Sequence, residues 1–361
     1  MSAANVTGDP AGPGHRLTIH AERCVHTQVT HGTCQACVSA CPRQAWRHGP
    51  DGLSFDAEAC DACGLCVADC PTDALELPSP APRVTTHADG SRTLALACER
   101  AVSSGGAGVT PCLYGLSPGW LVRAAEVLSA ASITLVPGDC ARCPRGGAGP
   151  AWRAQWLAVA ERLRAAGHPV VAITPASAET WPASDASAAV APRPRWRRWR
   201  GDDRAAAALP PLAGQRRWLL APMARASASA ATLWSVTLDA DRCTWCLACV
   251  RLCPSEALTL RPADAPGAPA RFVLDMHRCT GCGLCHDACD SHALSAPRSP
   301  VAQAEATGPT QWTLARRRCS ACRVEYFWPD SEPMAPAAIC PTCRQGRARQ
   351  HNRLVQQDCP T

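Results

Sequence analysis

The sequence predicts an α+β protein of several domains, and three observations support this prediction. The chain has 361 residues, a length that usually divides into two to four domains. Two cysteine-rich segments, residues 17–78 and 236–296, repeat one pattern and flank a segment of a different kind. This middle segment, residues 84–175, alternates short apolar runs with helical patterns, which indicates a small parallel α/β sheet.

Cysteine is the unusual component of the composition. The chain has 25 cysteines, whereas chains dense in disulfides are usually short and secreted. Residues 1–14 contain neither an apolar signal-peptide core nor a twin arginine, and no apolar run reaches the roughly 18 residues of a membrane span. We therefore expect no transmembrane segment and a reducing, cytoplasmic location, where thiolates are free to bind metal. The net charge of +6 is modest and does not indicate a nucleic-acid partner.

The second cysteine-rich segment contains two closely spaced runs. They are Cys243-Thr-Trp-Cys246-Leu-Ala-Cys249-Val-Arg-Leu-Cys253-Pro254, which is C-x2-C-x2-C-x3-C-P, and Cys279-Thr-Gly-Cys282-Gly-Leu-Cys285-His-Asp-Ala-Cys289. Thiolate sulfur is the ligand that holds iron–sulfur clusters, and three cysteines spaced in this way can bind one cluster from a single loop. We expect the fourth cysteine of a run to begin a short helix and to point away. The segment resembles the bacterial-type ferredoxin, which binds two [4Fe-4S] clusters.

The first cysteine-rich segment resembles the same ferredoxin module. Leu17-Thr-Ile-His-Ala-Glu-Arg-Cys24 matches Val236-Thr-Leu-Asp-Ala-Asp-Arg-Cys243 in pattern, so the chain contains an internal repeat. The first run is C-x9-C-x2-C-x3-C-P, with nine residues between Cys24 and Cys34. Such an insertion is tolerable because the entropy of loop closure grows slowly with length. Cys289 also departs from the family pattern, since Asp290 follows it in place of proline.

The resemblance implies how these cysteines are shared among four clusters, because the fourth cysteine of each run binds the cluster of the other run. It implies four ligand sets: Cys24, Cys34, Cys37 and Cys70; Cys60, Cys63, Cys66 and Cys41; Cys243, Cys246, Cys249 and Cys289; Cys279, Cys282, Cys285 and Cys253. Trp245 and His286 lie inside the cluster loops. They either tune the cluster potentials or are simply a packed tryptophan and a solvated histidine.

Four more cysteines lie in the middle segment. The sequence predicts strands there at 93–97, 132–136 and 170–173, a helix from Pro118 to about Ala131 capped by Ser117, and a helix at 151–166. The cysteines lie near the carboxyl ends of strands, where open α/β sheets bind ligands: Cys98, Cys112, Cys140 and Cys143. This convergence indicates an iron–sulfur cluster, a zinc ion, or a redox dithiol of Cys140 and Cys143. The segment resembles the small iron–sulfur subunits of hydrogenase and heterodisulfide-reductase complexes.

The C-terminal segment, residues 312–346, contains two C-x2-C pairs. They are Cys319 with Cys322 and Cys340 with Cys343, and residues 324–328 predict a strand between them. Two such pairs at this separation are typical of a zinc ribbon. A rubredoxin-like single iron uses the same geometry and is the alternative. Cys359 is assigned no role.

Two segments lack cysteine. Residues 1–16 are rich in Gly, Pro and small polar residues, which predicts disorder, and residues 176–232 have the composition of a linker. Within the linker, the run Arg193–Arg200 interleaves arginine with tryptophan. It is either a solvated linker that leans on a neighbouring domain or a contact surface for a partner protein, a membrane or nucleic acid.

The motifs together predict an electron-transfer protein or subunit. It would relay single electrons through about four [4Fe-4S] clusters to or from a partner oxidoreductase. The sequence has neither G-x-G-x-x-G after a strand nor G-x4-G-K-[ST], so we expect no nucleotide site and no substrate site of its own. One alternative is a redox enzyme or sensor centred on the middle cysteines. A second alternative is a structural, interaction or nucleic-acid-binding protein that uses the zinc ribbon.

Overall fold

The computed structural model describes the cysteine-rich parts of the chain. The described residues are 17–49, 52–102, 107–145, 234–262, 268–296, 309–330 and 339–344, the backbone of 172–175, and single residues at 157, 161, 181, 209, 211, 216 and 232. Helices and sheets occur together in these ranges, which confirms the predicted α+β class. None of the helices described is long and apolar enough to cross a membrane. The predictions for residues 1–16, most of 151–166, most of the linker 176–232 with its run Arg193–Arg200, and Cys359 concern residues outside these ranges.

The first cysteine-rich segment contains two pairs of short strands. The strands are β1 (Thr18–Ile19), β2 (Trp46–Gly49), β3 (Gly52–Phe55) and β4 (Leu75–Glu76). β1 pairs antiparallel with β4, and β2 forms a hairpin with β3. Leu17, Trp46, Leu53, Val67 and Leu75 are buried and pack in one core that includes cysteines of both runs.

Short helices position the cysteines differently from the sequence expectation. Ala36–Ala40 contains the third cysteine of its run, Cys37, and ends at the fourth, Cys41. Leu65–Asp69 likewise contains Cys66 and ends at Cys70. The prediction that the fourth cysteine begins a helix is therefore wrong. The helices end there because the backbone becomes extended, with ψ angles of 107° at Cys41 and 116° at Cys70.

The middle segment forms a five-stranded sheet. Its strands are β5 (Arg83–Thr86), β6 (Arg92–Cys98), β7 (Val109–Thr110), β8 (Ser132–Val136) and β9 (Ala172–Pro175). The order is β5-β6-β8-β9, and β7 pairs with the end of β6. β6, β8 and β9 run parallel, but β5 runs antiparallel to β6, so the sheet is mixed rather than wholly parallel.

The unexpected direction of β5 follows from the turn that joins it to β6. Gly90 has a φ angle of 82°, and the His87 N–H donates to the Ser91 carbonyl at 2.8 Å. Two strands joined by so short a turn must be antiparallel. The following helix, Pro118–Leu128, begins as predicted, because Ser117 Oγ accepts the Trp120 N–H at 3.1 Å. It ends at Leu128, a little earlier than expected.

The second cysteine-rich segment repeats the arrangement of the first. Its strands are β10 (Thr237–Leu238), β11 (Leu258–Arg261), β12 (Ala270–Leu274) and β13 (Leu294–Ser295). β10 pairs antiparallel with β13, and β11 with β12. The helices Ala248–Leu252 and Leu284–Asp287 contain the third cysteines, Cys249 and Cys285.

The C-terminal segment extends the sheet of this second unit. Its strands β14 (Thr310–Arg318) and β15 (Glu325–Pro329) form a hairpin, and β14 pairs antiparallel with β12. The resulting sheet has the order β11-β12-β14-β15. Trp245, Phe272 and Trp312 pack with ring centroids 5.5, 5.8 and 6.0 Å apart. This contact attaches the C-terminal hairpin to a cysteine loop of the second unit.

Candidate metal centres

Four cysteines of the first cysteine-rich segment line one cavity. The cavity has a volume of about 430 Å³, including its open mouth, and its wall includes Cys24, Cys34, Cys37 and Cys70. The Cys24 thiol interacts electrostatically with Cys70 and Cys34. These four residues are the first ligand set implied by the resemblance. Cys70 comes from the other run, so the structure brings together cysteines that the crossed arrangement requires.

The insertion after Cys24 folds so that this thiol remains at the cavity. Val25–Gln28 forms a helical turn, and Val25 is buried. His26 Nε2 forms a hydrogen bond with the carbonyl oxygen of Cys34 at 2.6 Å. The nine residues between Cys24 and Cys34 therefore make a compact loop that holds these two cysteines near each other.

The remaining cysteines of this segment form a second group. Cys66 interacts electrostatically with Cys63, Cys60 and Cys41. Cys37 of the first group in turn interacts with Cys66. The two groups are therefore neighbours within the first segment.

The second cysteine-rich segment contains two groups of the same kind. Cys249 interacts electrostatically with Cys243, Cys246 and Cys289, so Cys289 joins its group although proline does not follow it. Cys285 interacts with Cys282, Cys279 and Cys253, and also with Cys249 of the other group. Cys246 is exposed, whereas the other seven cysteines of these groups are buried or partly buried.

The environment of these thiols fits the binding of a cationic iron–sulfur core. Burial raises the pKa of Cys63 and Cys249 to about 12, because it disfavours the charged thiolate when no cation is bound. Iron supplies the compensating positive charge and binds the thiolate form. Backbone N–H groups also donate to the sulfurs of three fourth cysteines, each at 3.3 Å: Ala45 to Cys41, Ala74 to Cys70, and Ala293 to Cys289. Hydrogen bonds of this kind stabilise ligand sulfur and adjust the cluster potential.

Trp245 and His286 have structural contacts. Trp245 is 3% exposed and packs on Phe272 and Trp312, which agrees with the interpretation of Trp245 as a packed side chain. The backbone N–H of Trp245 donates to Cys243 Sγ at 3.4 Å. His286 is exposed, and its Nδ1 forms a hydrogen bond with the Leu294 carbonyl at 2.7 Å.

The two cysteine-rich segments contact each other directly. Thr33 donates its N–H and its hydroxyl to the Asp287 carboxylate, at 2.9 and 2.8 Å. Cys34 and Cys282 belong to one group of buried, packed side chains, in which Leu284 is fully buried. One cysteine group of each segment therefore faces the other. No sequence pattern indicated this junction.

The middle cysteines lie on three loops that follow strands of the middle sheet. Cys98 ends β6, Cys112 follows β7, and Cys140 begins a 3-10 turn, Cys140–Arg142, after β8. Cys112 interacts electrostatically with Cys98, and burial raises its pKa to about 11. Cys140 Sγ forms a hydrogen bond with Tyr114 Oη at 3.4 Å. Cys143 follows the turn, and its N–H donates to the Cys140 carbonyl at 3.3 Å.

Arg145 connects these loops to the first cysteine-rich segment. Its side chain is 9% exposed, and it donates to Asp61 at 2.7 Å, to Glu99 at 2.8 Å and to the Pro111 carbonyl. Asp61 lies between Cys60 and Cys63, Glu99 follows Cys98, and Pro111 precedes Cys112. Burial opposes ionisation of Asp61, but Arg145 lowers the pKa of this carboxyl below its usual value. No sequence pattern indicated the position of Arg145, because a single arginine gives no pattern.

The middle cysteines also adjoin one of the ligand sets. Cys63 interacts electrostatically with Cys112. Gly115 packs so closely on the loop of Cys63 that an added Cβ would clash with the Cys63 carbonyl and lie 3.0 Å from Gly64. The middle site is therefore next to the group of Cys60, Cys63, Cys66 and Cys41.

The C-terminal cysteines form a much tighter group. The sulfurs of Cys319, Cys322, Cys340 and Cys343 all lie within 4.8 Å of one another, and those of Cys322 and Cys340 are 3.8 Å apart. Tetrahedral Zn–S bonds of about 2.3 Å place two sulfurs about 3.8 Å apart. Backbone N–H groups of Cys322 and Cys340 donate to Cys319 Sγ and lower the pKa of that thiol to about 6. The geometry fits one tetrahedral ion, which can be zinc or iron.

The middle cysteines do not share this spacing. In the ranges given above, no other group of three or more ligand atoms lies within 4.8 Å. The thiols of Cys98, Cys112, Cys140 and Cys143 therefore do not form a tetrahedral group of the C-terminal kind.

Comparisons with known proteins identify both cysteine-rich segments. Residues 32–75 and residues 242–293 each match a family described as a 4Fe-4S dicluster domain. No curated protein matches the chain. The matches confirm the two predicted ferredoxin-type segments and imply iron–sulfur clusters in the chain. Two dicluster domains thus support an iron–sulfur electron-transfer role.

Proposed function

We propose that the chain is an electron-transfer protein, or a subunit of an oxidoreductase, with four [4Fe-4S] clusters in one continuous line. The ligand sets are the four named from the resemblance, and the location is a reducing, cytoplasmic compartment. Each bound cluster would exchange one electron at a time. The observation that carries the proposal is the adjacency of the four cysteine groups.

Three proximities between cysteines of neighbouring groups support the order of the line. Cys66 and Cys37 connect the two groups of the first segment. Cys34 and Cys282 connect the segments across their junction. Cys285 and Cys249 connect the two groups of the second segment. Burial of most of these thiols excludes water from the line, while exposed Cys246 makes the second segment's outer end accessible to a redox partner protein.

The middle segment is the candidate for a fifth centre at the opposite end. Cys112 adjoins Cys63, and Arg145 holds the middle loops against the first segment. The four middle thiols do not form a compact tetrahedral group, which favours an iron–sulfur cluster over a single zinc ion at this place. A redox dithiol of Cys140 and Cys143 is the alternative, and it would make this segment the catalytic or sensing part. The four C-terminal cysteines would bind zinc and stabilise the hairpin of β14 and β15, which packs on Trp245.

Metal analysis of anaerobically purified protein tests the proposal. Four clusters give about sixteen irons and as many sulfides, and a fifth cluster adds about two or four irons. Zinc near one equivalent would support the assignment of the C-terminal group. Fewer than about eight irons after full reconstitution would contradict the two-segment assignment. Loss of the extra iron in Cys112→Ser, with the other clusters retained, would support a cluster in the middle segment. Unchanged iron would contradict that cluster, and the redox dithiol of Cys140 and Cys143 would be the remaining role for the middle cysteines.

A further inference from the structure

Arg216 lies at the junction of the two cysteine-rich segments, although it is far from both in sequence. It is 9% exposed. Its Nη1 donates to the carbonyl oxygens of Thr280 at 3.1 Å and Gly281 at 3.3 Å, and its Nη2 donates to that of Asp69 at 3.5 Å. Thr280 and Gly281 form the loop between Cys279 and Cys282. Asp69 directly precedes Cys70, so one side chain contacts a ligand loop of each segment.

The charge of Arg216 lies beside two ligand sets at once. It interacts electrostatically with Cys70 and Cys34 of the first segment and with Cys282 of the second. A guanidinium stays charged in proteins, even where burial disfavours the charge. The Arg216 guanidinium carbon lies 5.1 Å from the ring centroid of Trp234, which is 2% exposed. The burial of both side chains limits screening of this charge by salt.

We propose that Arg216 raises the reduction potentials of the two clusters that face each other across the junction, above those of the two outer clusters. An added electron makes a cluster more negative, so a nearby buried cation stabilises the reduced state. Arg216 acts here as a positioning and tuning residue rather than as a ligand. The inference rests on the four-cluster function proposed above. As a consequence, the first electrons supplied by a donor protein reduce the two clusters at the junction before the two outer clusters.

A redox titration of the full chain at pH 8, followed by electron paramagnetic resonance, tests this inference. In Arg216→Gln, which keeps an amide donor but removes the charge, two of the four midpoints should fall. For each of these two clusters, the ratio of reduced to oxidised cluster at a fixed potential should drop at least about tenfold. This drop corresponds to a midpoint lower by about 59 mV for a one-electron couple. The other two midpoints should stay unchanged. Arg216→Lys keeps a positive charge and should restore most of the shift.

Arg278→Gln is the matched control. Arg278 directly precedes Cys279, but its side chain is 46% exposed and pairs with Glu256 at 2.7 Å, so solvent screens its charge. All four midpoints should be unchanged in this variant. Unchanged midpoints in Arg216→Gln, or an equal fall in the Gln and Lys variants, would overturn the inference.

A second variant covers the case in which Arg216→Gln does not assemble its clusters. Asp69 interacts electrostatically with Arg216, so Asp69→Asn removes an opposing negative charge and should raise the midpoints of the clusters at the junction. Absence of any shift would show that charges at this junction do not act on the clusters. If the natural chain binds no [4Fe-4S] cluster, the proposed function itself fails, and that outcome is distinct from clusters that bind but do not shift.

Discussion

Thr33 and Asp287 are 254 positions apart in the chain and form two hydrogen bonds that join the cysteine-rich segments. Asp287→Ala removes both acceptors. We expect the Thr33 amide to exchange its hydrogen about tenfold faster in this variant, because such a bond contributes about 1.4 kcal/mol. Hydrogen-exchange measurements check this, with Asp290→Ala as the control, because Asp290 is an exposed acidic residue three positions further along the chain. Equal rates in the two variants would mean that the junction is held without this contact.

Cys24→Ser tests the folded insertion. Cys24 lines the same cavity as Cys34, Cys37 and Cys70, so its loss should remove or damage one cluster. We expect iron to fall by up to about four atoms per chain, while the clusters of the second segment are unaffected. Iron analysis and electron paramagnetic resonance measure both effects. Cys359→Ser should change neither, and an unchanged spectrum in Cys24→Ser would show that Cys24 is not a ligand.

Gly115→Ala tests the contact between the middle segment and the first cysteine-rich segment. A Cβ at this position would clash with the Cys63 carbonyl, which is backbone and cannot rotate away. Overpacking of this kind should lower the free energy of unfolding by about 1–3 kcal/mol. Chemical denaturation measures the change. Gly49→Ala is the control, because nothing lies within 4 Å of an added Cβ there; equal effects in the two variants would argue against the close packing.

The cysteine spacing predicted the ferredoxin-type segments because the ligands of one cluster are close together in the sequence. The Ser117 cap and the parallel strands of the middle segment could also be predicted, since each depends on local residue patterns. The direction of β5 could not be predicted, because this edge strand has no buried apolar run: Thr85 and Thr86 are exposed. Pairing of β14 with β12 and the positions of Arg145 and Arg216 depend on contacts between distant segments, which no local pattern encodes.

Cys322→Ser tests whether the C-terminal metal is independent of the clusters. The Cys322 sulfur lies 3.8 Å from that of Cys340, so its replacement should greatly weaken binding of the single ion. The hairpin of β14 and β15 remains paired with β12, and we therefore expect the iron–sulfur content to be unchanged. Elemental analysis measures both quantities and also distinguishes zinc from iron. Loss of cluster iron together with the single ion would contradict this independence.

We propose that the two cysteine-rich segments form one line of clusters across the junction where Cys34 and Cys282 belong to one buried group of side chains. The most direct measurement is the electron paramagnetic resonance spectrum of the fully reduced chain. It is compared with the sum of two spectra, each from a variant whose cysteine-to-serine changes remove the clusters of one segment. We predict that the intact spectrum is broadened relative to this sum, because the clusters at the junction interact magnetically. A spectrum equal to the sum would contradict the continuous line.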